Sequence, residues 1–179
     1  DDRVFDIFDP TGHAVEVEIE NLELSSTVAS LARPSHGGLI RAENFYLAVE
    51  RCALRTAQAN EGGGIYYDGI FLLELQESLF QNETADLGGA IAMFGAELRA
   101  WDTSFSDNNA STDGGAVFMS DVSTAYFTGN RFEHNTAEIN GGAVFATGPR
   151  SQVQVHDTRY THNTAVQGGG VYVHDIAFL

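Results

Sequence analysis

The feature that most constrains this chain is a repeat of which four copies align without gaps. Phe80 to Ala85, Phe105 to Ala110, Phe132 to Ala137 and Tyr160 to Ala165 each place a large aromatic residue five positions before an alanine. Leu24 to Ala29 and Cys52 to Ala57 read as two degenerate copies. The alanine column then falls at 29, 57, 85, 110, 137 and 165, with steps of 28, 28, 25, 27 and 28. A period of about 27 residues belongs to stacked architectures, in which each unit buries its apolar face only against its neighbours.

Two further landmarks keep the same phase. A glycine pair followed by two apolar or small residues recurs at Gly37-Gly38-Leu39-Ile40, Gly62-Gly63-Gly64-Ile65, Gly88-Gly89-Ala90-Ile91, Gly114-Gly115-Ala116-Val117, Gly141-Gly142-Ala143-Val144 and Gly168-Gly169-Gly170-Val171. Gly12-His13-Ala14-Val15 reads as a weaker copy. Such pairs suit a sharp corner before a strand. Apolar residues also sit seven and five places before each large residue: Val17/Ile19, Phe45/Leu47, Leu73/Leu75, Leu98/Ala100, Ala125/Phe127 and Val153/Val155. A spacing of two is a strand with one buried face. Glu77-Ser78, Asp102-Thr103, Gly129-Asn130 and Asp157-Thr158 then form polar corners, where short polar side chains bond nearby backbone.

Each repeat is therefore three short strands and three corners. No stretch holds helical periodicity over ten residues, which disfavours leucine-rich and ankyrin-type solenoids. The expected fold is all-β, a right-handed parallel β-helix of six to seven coils stacked at ~4.8 Å. Residues 1–179 read as one segment, with degenerate coils over 1–60 and regular ones over 61–179.

Stacking aligns equivalent side chains in columns. Leu24, Cys52, Phe80, Phe105, Phe132 and Tyr160 are expected inside. Asn108, Asn135 and Asn163, three places further on, are expected to form an amide ladder, with Arg55 and Glu83 at that place in earlier copies. After the glycines, Ile65, Ile91, Val117, Val144 and Val171 form one column. Tyr66, Ala92, Phe118, Phe145 and Tyr172 form the next. Successive strand residues face opposite sides. So Tyr66, Phe118, Phe145 and Tyr172 make either an outward aromatic stripe, suited to docking, or a column that the corner's twist buries.

Gly-Gly-Ala-Ile/Val in phase with Phe-x-x-Asn resembles the repeat of the chlamydial polymorphic outer membrane proteins. Related repeats occur in large surface proteins of other bacteria, algae and protists. Gly88 to Ile91, Gly114 to Val117 and Gly141 to Val144 carry the first motif in full. Phe105 to Asn108 and Phe132 to Asn135 carry the second, with Tyr160 to Asn163 close to it. The likeness spans roughly residues 73–173; residues 1–60 depart from it. The resemblance implies a parallel β-helix exposed at a surface and used in adhesion, with no catalytic residue in the repeat.

Charge narrows the partners. Nine basic residues, all arginine, face 25 acidic ones, a net charge of −16. Phosphate binding needs positive charge, so nucleic acid is not an expected partner. No apolar run reaches the ~18 residues of a membrane span, so this segment is not expected to insert directly in a membrane. Cys52 is the single cysteine. The apolar run Ile176 to Leu179 stops as if in mid-strand, so the chain is expected to be part of something longer.

The candidates for chemistry are few. Glu77, Asp102 and Asp157 stack as a carboxylate column interrupted by Gly129, the kind of array that β-helical polysaccharide enzymes use. Their Ser and Thr neighbours also make them ordinary turn residues. Asp107, His134 and His162 are metal-ligand types on consecutive coils. No cofactor is expected, with calcium at carboxylate corners as the alternative. Asn82-Glu83-Thr84 and Asn109-Ala110-Ser111 fit the N-glycosylation sequon, relevant if the source is eukaryotic and the protein secreted. The expected function is an extracellular or cell-surface structural and adhesive module, meeting other protein chains or domains at the rod ends and along the stripe. The alternative is a polysaccharide-binding or polysaccharide-cleaving, pectate-lyase-like β-helix.

Overall fold

In the computed structural model, residues 4–8, 16–25, 35–121, 123–149 and 151–174 are described. Gly12 to Val15, Ala29 and Ile176 to Leu179 lie outside them. Among the described residues every strand pairing is parallel and there is no helix. The strands after the glycine corners stack as one sheet of seven: Phe5–Phe8, Ile40–Glu43, Ile65–Asp68, Ile91–Phe94, Val117–Ser120, Val144–Thr147 and Val171–His174. The alternating strands stack as a sheet of six: Glu16–Glu20, Tyr46–Glu50, Leu72–Gln76, Glu97–Trp101, Thr124–Thr128 and Gln152–His156. A second sheet of six carries the aromatic column: Glu23–Ser25, Ala53–Arg55, Leu79–Gln81, Ser104–Ser106, Arg131–Glu133 and Arg159–Thr161. Thr84–Leu87, Asn109–Asp113 and Thr136–Ala137 add a short fourth ladder.

The chain is thus a parallel β-solenoid. Ile40, Ile65, Ile91, Val117, Val144 and Val171 are successive register partners, so five complete turns separate Ile40 from Val171. This is slightly fewer than the six to seven coils expected. The turn from Phe5 to Ile40 passes through residues that are not described.

Register corrects the alignment of the second coil. Leu54, not Cys52, pairs with Phe80 and with Leu24. Ala59 rather than Ala57 joins the alanine column, because Gln58 bridges Thr84. Leu47 and Val49, not Phe45 and Leu47, are the buried alternating pair. The coil is 26 residues long from Leu54 to Phe80, and the fixed 28-residue step placed the whole set two residues early. Phe45 is nonetheless buried, in the corner before its strand.

All the corners turn through positive φ. Asn21, Arg51, Glu77, Asp102, Gly129 and Asp157 do so at one corner, and Thr56, Asn82, Asp107, His134 and His162 at the next. Asn, Asp and His tolerate this region best among residues with a Cβ. The glycine pairs meet two separate demands. The first glycine of each pair has φ near +60°. The second is pressed against the next coil: a Cβ on Gly115 would lie 2.1 Å from the carbonyl oxygen of Gly142. The same contact recurs at Gly38, Gly63, Gly89 and Gly142.

This contact gives a paired prediction. Gly115→Ala should cost about 3 kcal/mol or more, since backbone must move to clear the methyl. Gly95→Asn should stay within about 0.5 kcal/mol, because its φ of +71° suits asparagine and a Cβ there meets nothing nearer than 3.4 Å. Urea denaturation of the two variants checks both.

Candidate functional site

The interior is organised by two kinds of column. Phe80 and Phe105 stack at 5.1 Å between ring centroids, Phe105 and Phe132 at 4.6 Å, and Phe132 and Tyr160 at 4.9 Å, all within 13° of parallel. Phe127 from the alternating sheet meets Phe132 edge-on at 5.1 Å. Such pairs contribute about 0.5–1.5 kcal/mol each beyond area burial.

Beside this stack runs the asparagine ladder. The Asn108 amide donates to the Phe80 carbonyl at 3.1 Å and to Asn135 Oδ1 at 3.0 Å. Asn135 donates to the Phe105 carbonyl and to Asn163 Oδ1, both at 2.9 Å. Asn163 donates to the Phe132 carbonyl at 2.9 Å. Each Oδ1 also accepts the backbone N–H of the preceding coil, from Glu83, Asn108 and Asn135 in turn. The register places Ala57, not Arg55, at this position in the second coil.

A second buried ladder was not anticipated from sequence. At the corner before the aromatic sheet, Cys52 N–H donates to Ser78 Oγ, Ser78 N–H to Thr103 Oγ1, Thr103 N–H to Asn130 Oδ1, and Asn130 N–H to Thr158 Oγ1. The signal was available: Ser78, Thr103, Asn130 and Thr158 follow the positive-φ residue in every copy. Cys52 holds the hydroxyl's place, with its thiol directed at the Glu50 carbonyl.

The aromatic column after the glycines faces away from the main interior and forms its own cluster with Leu87 and Phe94. Phe118 and Phe145 stack at 5.6 Å, and Phe145 and Tyr172 at 5.9 Å. Tyr66, Phe118 and Phe145 are only 6–8% exposed, while Phe94 and Tyr172 are half-buried. Both columns of this sheet are therefore largely buried, and the stripe is a seam flush with the surface. Asp68 and Asp121 stand exposed beside it. Partial desolvation against the seam pushes the Asp68 carboxyl up, and the Glu43 carboxylate adds to the effect.

The remaining candidates sit at corners. Glu77, Asp102 and Asp157 are exposed, each with φ of +47°. The Asp102 carboxylate leans toward Gly129, where a Cβ would come within 2.3 Å of Oδ1. Asp107, His134 and His162 share a column with Asn82 and Thr56 at the next corner. The His134 and His162 rings stack at 5.0 Å and 8°. Parallel rings at that separation set their nitrogens side by side, whereas a metal needs donors converging at ~2.0–2.1 Å. Asn82 and Asn109 are both exposed.

Among the described residues, the trio whose ligand atoms lie within 4.8 Å of one another is Glu18, Glu20 and Glu50. The Arg51 guanidinium sits against it, 2.9 Å from Glu20 and 3.0 Å from Glu50. A hydrogen bond with Glu20, together with that residue's charge, holds Glu18 above the usual carboxylate range.

Residues 102–120 match the Chlamydia polymorphic membrane protein repeat. That stretch runs from the Asp102 corner through Phe105 and Asn108 to the glycine corner and its strand, so one coil holds both motifs. The polymorphic membrane protein repeat is thus carried here on a parallel β-helix. No curated protein and no solved structure matches the chain.

The ladder predicts a sharp asymmetry between adjacent asparagines. Asn135→Ala strands the Asn108 N–H in the interior and removes one of the bonds to the Phe105 carbonyl, and should cost about 3 kcal/mol. The exposed Asn109→Ala should stay within about 0.5 kcal/mol. Equal midpoints in urea for the two variants would contradict a buried ladder.

Proposed function

We propose that this chain is a structural and adhesive module of an extracellular or cell-surface protein. The observation that carries this reading is the in-phase recurrence of the glycine corner and the Phe/Asn columns, with residues 102–120 matching a repeat of surface-associated membrane proteins. A stack of identical coils is stiff along its axis and presents long continuous faces. Those properties suit a shaft or a contact surface. The acidic exterior supports solubility and a protein partner rather than nucleic acid.

The contact face favoured by this reading is the outer side of the seven-stranded sheet. There the half-buried rings Phe94 and Tyr172 continue the seam of Tyr66, Phe118 and Phe145. Catalysis is not part of the proposal. The corner carboxylates Glu77, Asp102 and Asp157 are exposed turn residues, and the His156 imidazole 3.0 Å from Asp157 is itself exposed.

Antibodies to the chain should label intact source cells, and the soluble chain should compete with their attachment. The Phe94→Ser, Tyr172→Ser double variant should keep its circular dichroism spectrum and compete at least tenfold less well. Labelling only after permeabilisation contradicts the surface reading. Saccharide binding on a glycan array that is lost in Tyr172→Ala, or reducing ends released by the chain and not by Asp102→Ala, replaces it with the polysaccharide reading.

A further inference from the structure

Glu83 breaks the pattern of the inner ladder. It occupies the asparagine position between Ala57 on one coil and Asn108 on the next, and its backbone N–H donates to Asn108 Oδ1 like that of its counterparts. The residue is 0% exposed, and both carboxyl oxygens lack a hydrogen-bond partner. Its carboxyl fills the space beside Gly64, where a Cβ would lie 2.6 Å from either oxygen. The stacked neighbours of Gly64 are Leu39 and Ala90, with Ala116 and Ala143 beyond. The column continues to Gly170, and Gly64 is its glycine on the coil where the carboxyl needs room.

Asparagine is neutral at every ordinary pH and always has N–H groups to donate. A carboxyl has a hydrogen to donate only when protonated. None of the groups around Glu83 turns a positive charge toward it. Gly64, Ala57 and Asn108 are uncharged, as are Gln81, Asn82 and Thr84 on its own strand and corner. Arg55, on the coil below, is turned outward to Gln81 and Glu23. On the coil above, Asp107 is an exposed corner residue, and Glu61 beside the glycine corner pairs with His36 at 3.3 Å. Burial alone pushes the Glu83 carboxyl well above the usual carboxylate range.

We propose that Glu83 is a proton-held member of the inner ladder: neutral, it stands in for asparagine, and its ionisation loosens the solenoid at this coil. The sign follows from linkage. Between the ordinary glutamate range and the value in the folded chain, the folded state holds a proton that the unfolded state has lost. Stability is full below that window, falls as pH rises through it, and levels off once Glu83 ionises in place.

The test is urea denaturation of the wild-type chain and Glu83→Gln across pH 4 to 9. The ratio of their folding equilibrium constants, wild type over variant, should drop about tenfold per pH unit from the ordinary glutamate range upward. Parallel profiles overturn the proposal. Carbon-13 NMR of glutamate-labelled wild type gives a check that needs no folded variant. One glutamate carboxyl should keep its protonated chemical shift at neutral pH. Titration of every glutamate in the ordinary range overturns the proposal as well. Neither result bears on whether the chain is adhesive.

Discussion

The structure depends on the contact between one coil and the next. Every coil meets its neighbours through parallel backbone ladders on three sides, and the spacing of those ladders is fixed at ~4.8 Å. Any side chain repeated at the period is then held against its own copy at that distance. Flat rings can stack at this separation, amides can bond to amides, and glycine alone allows the backbone approach seen at Gly63, Gly89 and Gly115. The repeat persists because each of these columns fails if a single coil supplies the wrong shape.

Polar satisfaction follows the same logic. Four corners per coil leave backbone N–H groups that no strand can pair. Two of the corners meet this need with buried ladders, one of Ser, Thr and Asn and one of Asn alone. Buried polar groups are tolerable when each has its partner. The Asn ladder is complete from Asn108 to Asn163 and ends downward at Glu83, whose carboxyl has none.

Most of the fold was legible because it is written as repetition. The glycine corners, the Phe and Asn columns and the post-glycine strands were all read at the right positions from Phe80 onward. The second coil was misread because Cys52 fits a 28-residue step, although Leu54 keeps the seven- and five-residue offsets to Leu47 and Val49 that mark the true register. The fate of the aromatic stripe could not be read from alternation alone. Its burial depends on how Leu87 and Phe94 close over it, which is a matter of corner geometry. Glu83 was equally opaque: a glutamate in a polar hexapeptide reads as solvent-facing until its column is known to point inward.

The central claim is that equivalent residues of successive coils are stacked as one cooperative unit, with the asparagine ladder inside it. Residue-resolved hydrogen exchange by NMR tests this most directly. The account predicts that the side-chain amides of Asn108 and Asn135 are protected to the same degree as the backbone N–H groups of Phe105 and Phe132. Side-chain amides that exchange as freely as that of the exposed Asn109 would contradict it.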